Sequence, residues 1–253
     1  MINSEKVYNF LLERIIHGEY PPGKTLRLDL ISNEIGVSRT PVRDALRQLE
    51  KLGLVSIIPY FGAKVKEMDA KEYRDTCGVR LALEVYAAGL AAENRSEDEL
   101  HVMRQALDSM RSITMRSHKP TPQNRSASFE NLVSEDVRFH VAIISASKNI
   151  VVKKEILRLH IIDRVISLTP RGLTPGHNLD SNGRTYNSNF DIAKEHEAIF
   201  RAIENRDTAA ASLAMKLHIQ VIIDSALLSF PISEKIKAPF VLTDEEQMYS
   251  GTH

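Results

Sequence analysis

Residues 35–47 read Ile-Gly-Val-Ser-Arg-Thr-Pro-Val-Arg-Asp-Ala-Leu-Arg, which is the pattern of the turn and second helix of a helix-turn-helix. Gly36 can take the left-handed conformation that ends one helix, and Ser38 or Thr40 can cap the next. Pro41 then falls in the first turn, where its missing N–H costs nothing. Five apolar residues follow at helical spacing and give this helix one face for burial: Val42, Ala45, Leu46, Leu49 and Leu52.

The opposite face of this predicted helix carries Arg39, Arg43 and Arg47, each four residues from the last. A row of guanidinium groups suits the phosphates and guanine edges of a DNA major groove. The alternative is an ordinary solvated surface helix that carries three arginines. The choice between them depends on the segments to either side.

Those flanking segments complete a winged helix. A first helix is predicted for residues 6–17 and a short one near residues 28–35. Two β-prone runs, residues 54–58 and 63–66, are separated by the turn Pro59-Tyr60-Phe61-Gly62. Three helices and a hairpin form a winged helix-turn-helix, so double-stranded DNA is the first partner to expect.

Composition sets limits on the rest of the chain. The formal net charge of the 253 residues is zero, and residues 1–67 hold ten basic and eight acidic side chains. Charge alone therefore does not point to DNA, and the helix pattern carries that inference. The single cysteine, Cys77, excludes an intramolecular disulfide. No leader and no run of about eighteen apolar residues is visible, so we expect a soluble cytoplasmic protein without a membrane partner.

Beyond residue 67 the pattern changes to long helices. Apolar residues that repeat at three and four predict six helices, over residues 69–94, 97–116, 128–147, 149–168, 188–205 and 207–230. The chain is thus expected to be mostly α, with a C-terminal antiparallel all-α bundle of about six helices after the winged helix-turn-helix.

These patterns divide the chain into a DNA-binding domain over residues 1–67, a helical domain over 68–230 and an irregular tail over 231–253. The helical domain contains two connections, residues 117–127 and 169–189. The second is long and rich in Gly, Pro, Asn and Ser, which is typical of a lid, a binding loop or a disordered segment.

Four residues of the helical domain are polar on faces that should be apolar: Asp136, His140, His196 and His218. Asp136 and His140 are one helical turn apart, so the carboxylate and the imidazole point the same way. His196 and His218 each lie about eleven residues from the predicted turn at 205–207, which places them at the same height, roughly 16 Å along two antiparallel helices. All four can therefore face one cavity.

Burying this much polarity is costly unless the groups satisfy one another or bind something. Three neutral imidazoles and one carboxylate suit a divalent transition metal. Zn, Ni, Mn and Fe are all chemically admissible, with Zn slightly favoured. Any one of these histidines taken alone is better explained as a hydrogen-bonded core residue, but the four together predict a metal site.

At the N-terminus, residues 22–65 resemble the DNA-binding domain of the GntR family of bacterial transcription regulators. The hallmark of that family stands here as Gly-Val-Ser-Arg-Thr-Pro-Val-Arg over residues 36–43, with Ala-Leu at 45–46 and Gly-Leu at 53–54 before the wing. Many relatives carry a basic residue where this chain has Asp29, and Arg27 is close enough to replace it.

This resemblance implies that residues of the second helix touch bases or phosphates and that the wing-tip glycine, Gly62, approaches the minor groove. The predicted DNA-contacting residues are Arg27, Ser38, Arg39, Thr40, Arg43, Arg47 and Gly62.

The helical domain also resembles a known one, the FCD effector domain of the FadR branch of the same family. The resemblance covers about residues 69–228 and rests on Asp136-Val-Arg-Phe-His140, on Glu195-His196 and on His218. Six helices match the shorter, VanR-like version of the branch. In that domain the matching aspartate and three histidines bind a metal inside the bundle, so the resemblance implies the same metal ligands here.

Two further residues are implied as effector contacts. Arg80 lies in a segment, residues 79–84, that looks like the family segment whose arginine meets an effector carboxylate. The alternative for Arg80 is a helix-surface pair with Glu84 at i+4. Asn149 lies in Ser147-Lys148-Asn149, which also fits the FCD pattern.

The sequence thus predicts a homodimeric transcription repressor that reads a palindromic operator and senses a small carboxylic acid at a metal. One alternative is a metal-responsive regulator, in which the ion itself is the signal. The other is a metal-dependent hydrolase that carries a DNA-binding module. A His-Glu-x-x-His arrangement, which would favour the hydrolase, is absent from the sequence, although Glu195 and Glu197 flank His196.

Overall fold

The structure is a computed structural model that describes residues 4–116, 122–166 and 188–228. The chain divides into two compact units. Among the described residues, the first unit comprises residues 4–73 and 158–166, and the second comprises residues 74–157 and 188–228.

Residues 4–73 form the predicted winged helix. Its elements, in chain order, are α1 Ser4–Ile16, β1 Thr25–Arg27, α2 Leu28–Ile35, α3 Arg39–Lys51, β2 Val55–Ile58 and β3 Gly62–Val65. Helix α2 ends where the sequence predicted, because Gly36 adopts φ 72° and its N–H bonds back to the carbonyl of Ser32. Helix α3 buries Val42, Ala45 and Leu46 against the core of this unit.

The wing has three strands rather than the two of the predicted hairpin. The antiparallel sheet has the order β1-β3-β2, with Leu26 and Ile57 both opposite Ala63. Strand β1 was not predicted, because three residues with one buried side chain, Leu26, give too short an alternation to detect. The edge strand β1 pairs with β3 and leads directly into α2.

The second unit is helical, as predicted. Its helices are α4 Ala70–Asn94, α5 Glu97–Arg116, α6 Pro122–Ala146, α7 Ile150–Ile166, α8 Ser188–Glu204 and α9 Thr208–Leu228, with α4 and α7 shared in part with the first unit. Helix α6 begins six residues before the predicted start, so residues 122–127 are helical rather than part of a connection. A proline is well tolerated at a helix N-terminus, which explains a start at Pro122. The predicted loop at 169–189 lies almost wholly, and the predicted tail at 231–253 entirely, outside the described residues.

The helices of the second unit pack against one another and bury apolar side chains between them. Helix α5 packs against α6 and α8, and α8 packs against α9. Ala87 of α4, Ile144 of α6 and Ile156 of α7 belong to one buried cluster. The turn between α8 and α9 uses a left-handed residue, Arg206 at φ 57°, and Asp207 accepts a hydrogen bond from the N–H of Ala210 at 2.9 Å. In the described part of the chain, no helix combines the length and apolar character that crossing a membrane requires.

Candidate metal centre and DNA-binding surface

The structure brings together the four polar residues that the sequence singled out. Asp136 and His140 lie on α6, His196 on α8 and His218 on α9. One ligand atom from each lies within 4.8 Å of every other. The rings of His196 and His218 have centroids 4.4 Å apart, in agreement with their equal distance from the α8–α9 turn. The histidines are buried and Asp136 is only partly exposed.

Distances within this cluster are short. His196 Nε2 lies 2.9 Å from Asp136 Oδ1, and His140 Nε2 lies 3.1 Å from His218 Nε2. The opposite ring nitrogens of His140 and His218 face carboxylates that lie outside the cluster.

Those two carboxylates belong to Glu84 and Glu195. Glu84 Oε2 lies 2.9 Å from His140 Nδ1, and Glu195 Oε2 lies 2.9 Å from His218 Nδ1. A carboxylate accepts a hydrogen bond from the nitrogen it faces, so both rings donate from Nδ1–H and direct Nε2 into the cluster. Two Nε2 lone pairs facing each other repel, unless a proton or a cation lies between them. The donor set therefore fits a metal ion.

Protonation in this cluster follows from burial and charge. Burial and the neighbouring His196 and His140 hold the pKa of His218 well below its ordinary value. Burial opposes a charge on His140, but the hydrogen bond and charge of Glu84 raise the pKa of His140 overall. Burial also opposes ionisation of Asp136, yet the hydrogen bond from His196 brings the pKa of Asp136 below its ordinary value. Asp136 is thus ionised and His218 neutral, the forms that bind a metal, whereas the raised pKa of His140 means that this ring must release a proton when an ion binds.

Arg80 lies close to this cluster through Glu84. Arg80 Nε donates to Glu84 Oε1 at 2.5 Å, so the i, i+4 pair that the sequence allowed is present. The side chain of Glu84 is 1% exposed and that of Arg80 is 12% exposed. This is a buried ion pair and not a surface pair. Glu84 was not predicted as part of the site, because its contact with His140 spans 56 residues of sequence.

Asn149 has a local role in the structure. Its Oδ1 accepts hydrogen bonds from the N–H groups of Val151 and Val152 at 3.2 and 3.1 Å. Its own N–H bonds to Ser147 Oγ at 3.2 Å, and Lys148 between them adopts φ 57°. Asn149 therefore caps the N-terminus of α7, and this cap by itself explains the Ser-Lys-Asn turn.

The predicted DNA-contacting residues at the N-cap and along α3 are all exposed to solvent: Ser38, Arg39, Thr40, Arg43 and Arg47. Ser38 occupies the N-cap position, but its side chain makes no capping hydrogen bond. The first turn of α3 also contains no acidic residue. The positive end of this helix is thus left for an external acceptor.

Arg27 and Gly62 are paired across β1 and β3, at the end of β3 that follows the turn of the wing. Arg27 makes a two-point ion pair with Asp29, at 3.1 and 2.6 Å, and its guanidinium lies 5.3 Å from the ring centre of Phe61. Gly62 is buried, whereas Tyr60 is fully exposed at φ 62°. The exposed tip of the wing is therefore formed by Tyr60 and Phe61, which the sequence analysis had not singled out.

Two known protein families match this chain, one in each of its two parts. The FCD domain family matches residues 75–221, and the family described as bacterial regulatory proteins, gntR family, matches residues 3–65. The relatives that share these matches are described as transcription regulators.

Individual relatives agree with these matches. The transcriptional regulator LutR of Bacillus subtilis is 29% identical over 81% of this chain and 92% of its own length. The transcriptional repressor RspR of Escherichia coli is 26% identical over 88% of each chain. Among solved structures, E. coli McbR/YncC has the same fold, with a TM-score of 0.64 and 19% identity over 91% of this chain and all of its own.

Proposed function

This chain belongs to the FCD-containing branch of the GntR family of bacterial regulators, and on that premise we propose that it is a cytoplasmic repressor that responds to a small carboxylic acid. Residues 1–67 would read a palindromic operator in double-stranded DNA, and residues 68–230 would dimerise and sense the acid. The repressor named RspR among its relatives supports the sign of regulation.

The observation that carries the sensor proposal is the buried cluster with its fixed ring orientations. Asp136, His140, His196 and His218 would hold one divalent ion, with Zn slightly favoured among Zn, Ni, Mn and Fe. When bound, the ion would supply positive charge that attracts a carboxylate oxygen of the effector. Glu84 and Glu195 would orient two of the imidazoles for this purpose.

Arg80 is the proposed second contact of the acid. Its guanidinium is largely buried, and its positive charge acts on His140. A guanidinium forms two-point hydrogen bonds with a carboxylate and is weakly hydrated, so it suits an acid that must leave water to bind.

The response to the acid requires two arrangements of the dimer. A palindrome presents half-sites about one DNA turn apart, so the two copies of α3 must keep a matching separation. The acid lowers operator affinity only if it binds more tightly to a dimer whose α3 separation does not match the half-sites than to the dimer that binds the operator.

Native mass spectrometry of the full chain, purified without chelators, tests the sensor. We expect a dimer with one divalent metal per chain, and release of operator DNA by at least one member of a panel of short mono- and dicarboxylic acids. Arg80→Leu should still take up the metal, with a modestly lower affinity, and lose the response to the acid. Operator binding that depends on the metal and ignores every acid would instead identify a metal-responsive regulator.

A further inference from the structure

Glu84 is a buried carboxylate that contacts Arg80 on its own helix and His140 on another. One oxygen accepts from Arg80 Nε on the same helix, and the other faces His140 Nδ1 on α6. The side chains of Glu84, Arg80 and His140 are 1%, 12% and 2% exposed. A buried charge needs compensation from fixed partners, so a change at one of these contacts is felt at the other.

We propose that Glu84 is a positioning residue that couples the acid-binding arginine to a metal ligand. It sets the orientation of His140 and holds Arg80, so that binding of an acid at Arg80 and of a cation at the histidine cluster influence each other. This inference rests on the proposed sensor site and deepens it, because linkage of this kind is reciprocal.

The coupling follows from the geometry of one carboxylate. If an acid draws the Arg80 guanidinium towards itself, Glu84 loses a hydrogen bond of 2.5 Å and its position against His140 changes. His140 Nε2 in turn lies 3.1 Å from His218 Nε2, so a turn of the ring moves a donor atom of the cluster. In the other direction, a cation that fixes His140 also fixes Glu84 and the place of Arg80.

Glu84→Gln tests this inference because the amide has one acceptor and one donor. Arg80 requires the acceptor, which leaves the amide N–H₂ facing His140 Nδ1, so the ring must give up its Nδ1 proton. The Nε2 atom then carries the proton and is a poorer ligand. We expect Co²⁺, followed by its visible absorption, to bind about 10–100-fold more weakly, the usual effect of losing a residue that orients a metal ligand.

A double-mutant cycle in the full-length protein isolates the coupling. Arg80→Leu should weaken Co²⁺ binding in the wild-type background by a smaller factor and should have no further effect in Glu84→Gln. Glu93→Gln is the matched control, since Glu93 is an exposed carboxylate on the same helix, and it should bind Co²⁺ like the wild type. If Glu84→Gln does not fold, Glu84→Asp keeps the charge, shortens the reach and serves in the same cycle.

A second readout needs neither metal nor acid. In ¹⁵N-histidine NMR of the metal-free protein, the Nδ1–H signal of His140 should be present in the wild type and in Glu93→Gln, and absent in Glu84→Gln. Wild-type Co²⁺ affinity and an intact His140 signal in Glu84→Gln, or additive effects in the cycle, would overturn the coupling while leaving the sensor site in place. A wild-type chain that takes up no Co²⁺ would overturn the sensor site and this inference with it.

Discussion

Two arginines one turn apart on α3 have different surroundings. The Arg47 guanidinium lies 4.0 Å from the carboxylate of Asp44, while Arg43 is nearer the N-terminus of the helix, the end that enters the major groove in helix-turn-helix proteins. The two residues can therefore contribute differently to the same interface, Arg43 to sequence readout and Arg47 to phosphate binding.

Substitution of each arginine separates these roles. Arg43→Ala should cost about 1–3 kcal/mol of specific operator binding and relax the sequence preference at one position of each half-site, because a base contact is lost. Arg47→Ala, the matched comparison, should weaken binding to all sequences alike and reduce its salt dependence. Titrations at fixed salt with operator and scrambled DNA measure both. Unchanged operator affinity in Arg43→Ala would contradict the role of α3 as the reading helix.

Some residues of the site could be predicted from the sequence and others could not. Asp136, His140, His196 and His218 were predictable, because each breaks an apolar stripe at a spacing that fixes its face and height. Glu84 was not, because an acidic residue four positions from an arginine is ordinary on a helix surface. Only the packing of α4 against α6 distinguishes a buried carboxylate from a solvated one.

At the scale of the elements, periodicity predicted the helices and failed for the shortest strand. Every helix of the described part coincides with a predicted one to within a few residues, except at the N-terminus of α6, where the sequence is polar. Strand β1 depends on pairing with β3, nearly forty residues later, and such a contact has no local signal. Strand β1 is therefore the element of the wing that could not be predicted from the sequence.

Two glycines of the DNA-binding unit provide a test of that wing. Both have positive φ, 72° at Gly36 and 155° at Gly62. A Cβ at Gly36 would meet nothing within 4 Å, whereas a Cβ at Gly62 would lie 1.9 Å from the carbonyl oxygen of Leu26. Gly36→Ala should therefore cost only the backbone term, about 1 kcal/mol, and Gly62→Ala should cost more, on the order of 3 kcal/mol, because β1 must separate from β3.

Urea unfolding of the two variants measures this difference. Gly62→Ala should also lose operator affinity in proportion to the damage to the wing, while Gly36→Ala keeps the sheet intact. Equal destabilisation by the two substitutions would contradict the close approach of β1 at Gly62.

At the scale of the whole molecule, the residues proposed for the two functions lie in different compact units. A metal that binds the folded helical unit stabilises that unit by mass action, and the DNA-binding unit has no part in the binding. Loss of the metal and loss of operator binding should therefore be separable.

Chelation of the metal-loaded protein tests this separation. At a free ion concentration 100-fold above its dissociation constant, the ion contributes about 2.7 kcal/mol to the stability of the helical unit. A chelator should therefore lower the melting temperature of that unit by roughly 5–10 °C.

His196→Ala removes one of the four ligands, so the melting temperature of this variant should be insensitive to the chelator. His196 is fully buried, so its removal also leaves a cavity that destabilises the protein. This cost is the same with and without chelator, so it does not affect the difference between the two melting temperatures of one variant. His101→Ala, an exposed histidine on α5, is the control and should show the full wild-type shift. Operator binding should persist in both variants, and a His196→Ala protein that keeps the wild-type chelator shift would show that the cluster is not where the metal binds.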